Sequence, residues 1–152
     1  MMWTRLATLI SVFCLLVVSV RVSAADSSLL SRTLCVWDLM GANGDNFSLM
    51  KDYRLAAKDW GVNLKLKAYT DEKIATEDFR VGQCDAVVIT GLRAKPFNTF
   101  AGSLESIGSI PTYQHLKMVV GAISSPKASA LMSQGAYEVA GVVPLGSAYL
   151  FL

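Results

Sequence analysis

The residues best suited to chemistry fall in two short segments, each leaving an apolar run. The first is Trp37-Asp38 with the glycine-rich turn 41–46 behind it; the second is Thr90-Gly91-Leu92-Arg93. Arg93 carries a planar fork of donors that can hold a carboxylate bidentately. Asp38 and Asn43 can accept from or donate to a polar ligand, and Trp37 offers a face for stacking. The turn runs into a predicted helix N-terminus, where free backbone N–H groups suit an anion. Trp37, Asp38, Asn43, Thr90 and Arg93 are therefore the candidate ligand contacts. Each also has a plain structural reading. Trp37 can be core, Asp38 can cap the turn, Asn43-Gly44 can be a turn pair with positive backbone angles, Thr90 can finish its strand, and Arg93 can be a surface cation. The spacing Gly41-x-x-Gly44 lacks a following Gly-Lys-Ser or Gly-Lys-Thr, so it is not a P-loop.

Other chemistries find less support. The sequence has one histidine, His115, which gives no convincing Ser-His-Asp set and no metal-ligand set with the cysteines. Cysteine–histidine catalysis conflicts with a paired cysteine. No catalytic residue, metal or cofactor is expected, and an exported enzyme is the least favoured of three classes, behind a solute receptor and an envelope accessory factor.

Those residues sit in a chain that begins like an exported one. Arg5 precedes an apolar stretch over residues 6–20, and the small residues Ser23, Ala24 and Ala25 follow. A positive start, an apolar middle and a small-residue exit make a secretory signal peptide, placed at residues 1–25 with cleavage after Ala24 or Ala25. The apolar middle is shorter than the roughly 20 residues that span a bilayer core. Phe13 directly before Cys14 argues against a lipoprotein. Removal of the signal takes Arg5 and Arg21 with it, which brings the 14 basic residues level with the 12 acidic ones. A near-neutral chain without a basic cluster gives no reason to expect nucleic acid as a partner. Cys14 leaves too, and the remaining pair, Cys35 and Cys84, is a disulfide candidate in an exported protein.

The elements that must position the candidates alternate between strand and helix. An apolar run at 33–38 reads as a buried strand. Phe47, Met50, Tyr53 or Arg54, Ala57 and Trp60 share a helical face over 47–60, and Gly61 stops it. Residues 62–68 alternate apolar and polar, as a strand near a sheet edge does. Thr70 is predicted to cap a second helix, with Asp71 and Glu72 in its first turn and Ile74, Ala75, Asp78 and Phe79 on one side, ending at Gly82. Residues 85–90 form an apolar third strand, expected to be central. After a loop-rich stretch come helices from 112 and over 127–134, a strand over 137–143 and a further one from 149.

The order β-α-β-α-β calls for a parallel sheet with right-handed crossovers and helices on both faces, an α/β fold. Ligands of such sheets sit outside the carboxyl ends of the strands, which is where the five candidates fall. If strands one and three are neighbours, roughly 5 Å apart, Cys35 and Cys84 come within disulfide reach. A run as apolar as 148–152 needs neighbours to pair with, so the expectation is a lobe of a longer protein, incomplete over 32–152.

The blocks Cys35-Val36-Trp37-Asp38, Gly41-x-x-Gly44, Lys51-Asp52-Tyr53, Gly82-Gln83-Cys84-Asp85, Thr90-Gly91-Leu92-Arg93, Tyr137-Glu138-Val139-Ala140-Gly141 and Tyr149-Leu150-Phe151 resemble the AdeT-type solute-binding proteins. These are similar to the DctP-type receptors of tripartite ATP-independent periplasmic (TRAP) transporters. The resemblance covers nearly all of residues 32–152. It implies a type 2 periplasmic-binding-protein fold, in which two α/β lobes close around a small organic solute. It also implies membrane transporter subunits as partners, and a missing second lobe. In TRAP receptors a key ligand arginine lies beyond this first lobe. Some relatives carry labels tying them to resistance-nodulation-division efflux and aminoglycoside resistance, which makes an efflux accessory role the alternative.

Overall fold

In the computed structural model, residues 29–146 are described, and β1 (Leu30–Trp37) is the strand on which the others assemble. It pairs in parallel with β2 (Val62–Tyr69) along its whole length, from Leu30 opposite Val62 to Trp37 opposite Tyr69. On its other side it pairs in parallel with β3 (Ala86–Val88), with Cys35 opposite Val87 and Val36 opposite Val88. The strand order is β2-β1-β3. The predicted signal peptide at 1–25 and the strand predicted from 149 lie outside the described residues.

Side chains alternate across β1, so its two faces collect separate cores. Leu34 and Val36 pack with Phe47 against Met50, Leu64, Leu66, Ala68 and Val88. That face is covered by α1 (Asp45–Asp59), whose buried residues are Phe47 and Ala57. Cys35 points the other way and packs with Tyr69, Ala75 and Cys84, with Trp37, Phe79, Val87 and Ile89 around them. α2 (Glu72–Arg80) covers that second face. The Sγ atoms of Cys35 and Cys84 are 1.95 Å apart and their Cα atoms 5.9 Å apart. This is an α/β fold with a three-stranded parallel sheet between helical layers.

Several expectations are corrected. The central strand is β1, not the third, because only β1 has a pair on each side among the described residues. β3 keeps three residues of the predicted six. Asp85 is taken up by Thr33 N–H (2.7 Å) and Arg32 (3.2 Å), and Thr90 already caps the next helix. The cap of α2 is Asp71, whose carboxylate accepts from the N–H groups of Lys73 and Ile74, and not Thr70. Ile74 is exposed, and Thr76 takes the inward place beside Ala75. Trp60 falls beyond the last turn of α1, so it leaves the inward face and stacks edge-on with exposed Tyr53, centroids 5.8 Å apart.

Beyond the sheet, α3 (Gly91–Ala94), α4 (Thr99–Leu104) and α5 (Tyr113–Ile123) follow. The helix expected over 127–134 is a 3-10 turn, Pro126–Ala128, and a single helical turn, α6 (Ser129–Met132). Its end is diverted into a hairpin of β4 (Ser133–Gln134) and β5 (Tyr137–Glu138), and the strand predicted over 137–143 stops there. The hairpin turns at Gly135, where φ is +60°, a conformation that a residue with a Cβ seldom adopts. Tyr137 then closes an aromatic cluster with Phe79 (5.7 Å) and Phe97 (4.9 Å), tying the hairpin to α2.

Candidate functional site

The chain leaves β1 and β3 on the same edge of the sheet, because the two strands are parallel neighbours. In the order β2-β1-β3, the chain moves from β1 to one side and then crosses back to the other, so the strand order reverses between β1 and β3, a topological switch point. All five candidate residues fall in these two exits, but they are engaged in different ways.

At the β1 exit, Asp38 is 5% exposed. Its Oδ1 accepts from Met40 N–H (2.9 Å) and its Oδ2 from Phe47 N–H (3.2 Å). The second bond caps α1 from seven residues ahead of the helix, replacing a local N-cap side chain, since the Gly44 cap position has none. Gly44 is a glycine for a steric reason: a Cβ there would lie 1.7 Å from Asp38 Oδ1. Its φ is −85°, and Asn43 also has no positive φ, so the expected positive-angle pair at 43–44 is absent. The left-handed residue is Gly41, at +57°. Asn43 ends the 3-10 turn Gly41–Asn43 and is exposed. Trp37 packs against the Cys35–Tyr69–Ala75–Cys84 cluster. Leu39 and Met40 stand exposed on the rim of this exit.

At the β3 exit, three successive backbone N–H groups meet carboxylates from elsewhere in the chain. Thr90 N–H donates to Glu72 Oε1 (2.5 Å), Gly91 N–H to Glu105 Oε1 (2.7 Å) and Leu92 N–H to Glu105 Oε2 (2.8 Å). The Thr90 hydroxyl accepts from Arg93 N–H (3.2 Å) and so caps α3. Arg93 Nε lies 3.7 Å from Glu72 Oε2, with the Arg93 side chain 48% exposed and that of Glu72 16%. The terminal guanidinium nitrogens of Arg93 have no hydrogen-bond or ion-pair partner among the described residues. The backbone amides of this exit are therefore occupied, and the terminal nitrogens of an arginine paired to Glu72 are left without a partner among the described residues.

Glu72 and Glu105 were not legible as site residues. Glu72 reads as a dipole-favoured residue in a first helical turn, and Glu105 lies in the loop-rich stretch where no pattern assigns it a partner. A third carboxylate, Asp78, falls on the predicted inward side of α2. In the fold it takes Lys67 Nζ (2.8 Å) and the Tyr69 hydroxyl, which also lies 3.5 Å from Cys35 Sγ. The Lys67 and Tyr69 hydrogen bonds hold the Asp78 carboxyl below the usual carboxylate range, and burial pushes the Tyr69 phenol up. This triad pins edge strand β2 to α2.

A depression of about 250 Å³ lies apart from both exits, lined by Val120, Ile123, Met132, Val139 and Val142 among others. It offers no charged side chain. Among the described residues no group of three or more His, Cys, Asp or Glu could hold a metal ion, and no helix is long and apolar enough to cross a membrane.

Comparison with known proteins decides the family. The family described as "Solute-binding protein AdeT 1/2" matches residues 54–152, well over half of the chain. The chain belongs to this AdeT 1/2 solute-binding protein family. "Probable solute-binding protein AdeT1" of Acinetobacter baumannii is 45% identical over 117 residues, which is 77% of this chain and 38% of that relative. The chain thus spans well under half the length of the curated relative it matches. No solved structure matches it significantly. The family description is of binding proteins, and it names no efflux activity.

Proposed function

We propose that this chain is the first lobe of an exported, type 2 periplasmic solute-binding protein. Signal peptide 1–25 directs it to the periplasm, and residues 32–152 supply one wall of the binding cleft. The solute is a small organic molecule bearing a carboxylate, and the protein hands it to the membrane subunits of a TRAP-type transporter. The observation that carries this reading is the open guanidinium of Arg93 at the switch point of a parallel sheet, in a chain of a solute-binding family. A half-exposed arginine with a carboxylate 3.7 Å from its Nε and its terminal nitrogens free can still receive a solute carboxylate bidentately.

The roles proposed for the five candidates are unequal. Arg93 makes the charged contact. Asn43, exposed beside the β1 exit, is the second polar contact. Asp38 and Thr90 hold the two loops through their capping bonds, and Trp37 supports the β1 exit from the core side. The Cys35–Cys84 bond, formed in an oxidising compartment, fixes the start of β3 against β1.

A thermal-shift screen of the full-length protein against organic acids and organic amines tests this. The reading predicts that one or more acids raise the melting temperature in a concentration-dependent way, as any ligand binding only the native state must. If no acid does so, or only amines do, the proposal fails.

A further inference from the structure

We infer that Glu72 is a positioning residue for solute capture: it holds Arg93 in the orientation that leaves the terminal guanidinium nitrogens facing outward. This inference rests on the solute-receptor reading given above. Glu72 is the first residue of α2, 18 residues before Thr90, yet both of its oxygens act at the β3 exit. Oε1 takes Thr90 N–H at 2.5 Å, and Oε2 stands 3.7 Å from Arg93 Nε. The carboxylate is fixed by the backbone bond before it meets the arginine.

A side chain with four rotatable bonds loses affinity when it must be ordered on binding. An arginine drawn to a fixed carboxylate by an ion pair at 3.7 Å, longer than a hydrogen bond, has lost part of that freedom in advance. Glu72 is only 16% exposed, so solvent screens it less than the half-exposed Arg93. Glu105 does not compete for the arginine, because its two oxygens are both engaged by the N–H groups of Gly91 and Leu92. The β3 exit thus separates two tasks between two carboxylates: Glu105 fills the backbone donors, and Glu72 aims the side-chain donor.

The test combines a direct probe of Arg93 with a binding measurement on the full-length protein. Hydrogen exchange at Arg93 Nε–H is followed by NMR in the wild type, Glu72→Gln and Glu72→Asp. Glu72→Gln keeps an oxygen for Thr90 N–H, so the loop stays folded, and its melting temperature serves as a control. Affinity for acetate, benzoate and succinate is measured on the same variants, on Arg93→Gln and on the Glu72→Gln/Arg93→Gln double variant. Glu72→Gln should speed the Arg93 exchange and weaken the best-bound carboxylate about threefold to tenfold, the range of a partly buried ion pair. Glu72→Asp, which keeps the charge, should recover part of that loss. The Glu72→Gln penalty should vanish in the Arg93→Gln background, because the two residues act as one unit. An unchanged Arg93 exchange in Glu72→Gln, or a penalty that persists without Arg93, overturns the positioning role. If the exchange responds but none of the carboxylates binds the wild type, the ion pair stands and the solute-contact reading of Arg93 falls, and the positioning role falls with it.

Discussion

The exits from β1 and β3 both set carboxylates against backbone N–H groups, yet they draw those carboxylates from opposite distances. At the β1 exit the carboxylate is Asp38, part of the loop it organises and buried under it. The nearby Lys51 ammonium is turned onto the same loop, donating to Ala42 O (3.3 Å), and Gly44 closes on Asp38 so tightly that a methyl group would not fit. At the β3 exit the carboxylates arrive from α2 and from the end of α4, and a half-exposed arginine remains. A loop that satisfies itself is built to be rigid. A loop satisfied from outside, with a donor to spare, is built to present something.

That contrast can be broken by substitution, starting where the packing is tightest. Gly44→Ala should cost about 3 kcal/mol of unfolding free energy, because the new Cβ must push the Asp38 carboxylate off two backbone donors. Denaturant unfolding measures it, and a loss below 1 kcal/mol would mean that Asp38 is not locked. Removing the Cys35–Cys84 bond as a double alanine variant should cost ~2–4 kcal/mol, given a closed loop of 49 residues. Thiol labelling of the unreduced protein, finding both cysteines unmodified, is the companion result. Glu105→Ala should cost only about 1 kcal/mol, since the freed N–H groups of Gly91 and Leu92 lie near the surface and turn to water. Equal costs for Gly44→Ala and Glu105→Ala would erase the distinction between the two exits.

The smallest effect concerns the Asp78 triad. Its carboxyl is held low in the folded protein by Lys67 and Tyr69, so its contribution is complete above about pH 4, the unfolded value. The contribution is lost as pH falls through the lowered folded value. Asp78→Asn should therefore flatten part of the acid-induced fall in stability, bringing variant and wild type together at low pH. Stability curves from pH 7 to pH 2 that stay parallel would contradict the triad.

The sheet was legible because β1, α1, β2 and α2 are marked by local patterns: an apolar run, an inward helical face at Phe47 and Ala57, an alternating strand and an acidic first turn. The approach of Cys35 to Cys84 was legible only on the condition that strands one and three are neighbours, which the strand order β2-β1-β3 meets. What escaped was set by partners distant in sequence. Asp85 turns aside to Thr33, which shortens β3, and Asp38 caps a helix it does not adjoin. Gly135 opens a hairpin in what looks like a helix end. At the site, Arg93 could be singled out by its place after a strand. Glu72 and Glu105 could not, because their roles exist only once α2 and α4 are folded against the β3 exit.

The central claim is that the β3 exit captures a solute carboxylate through Arg93. The most direct measurement is calorimetric titration of the wild type and of Arg93→Gln, each as the full-length protein, with the acid that gives the largest thermal shift. The account predicts saturable one-site binding to the wild type and at least a tenfold loss in Arg93→Gln, the expected cost of removing a charge-assisted bidentate pair, measured at a temperature where the unliganded variant is folded. Equal affinity for both proteins would contradict it.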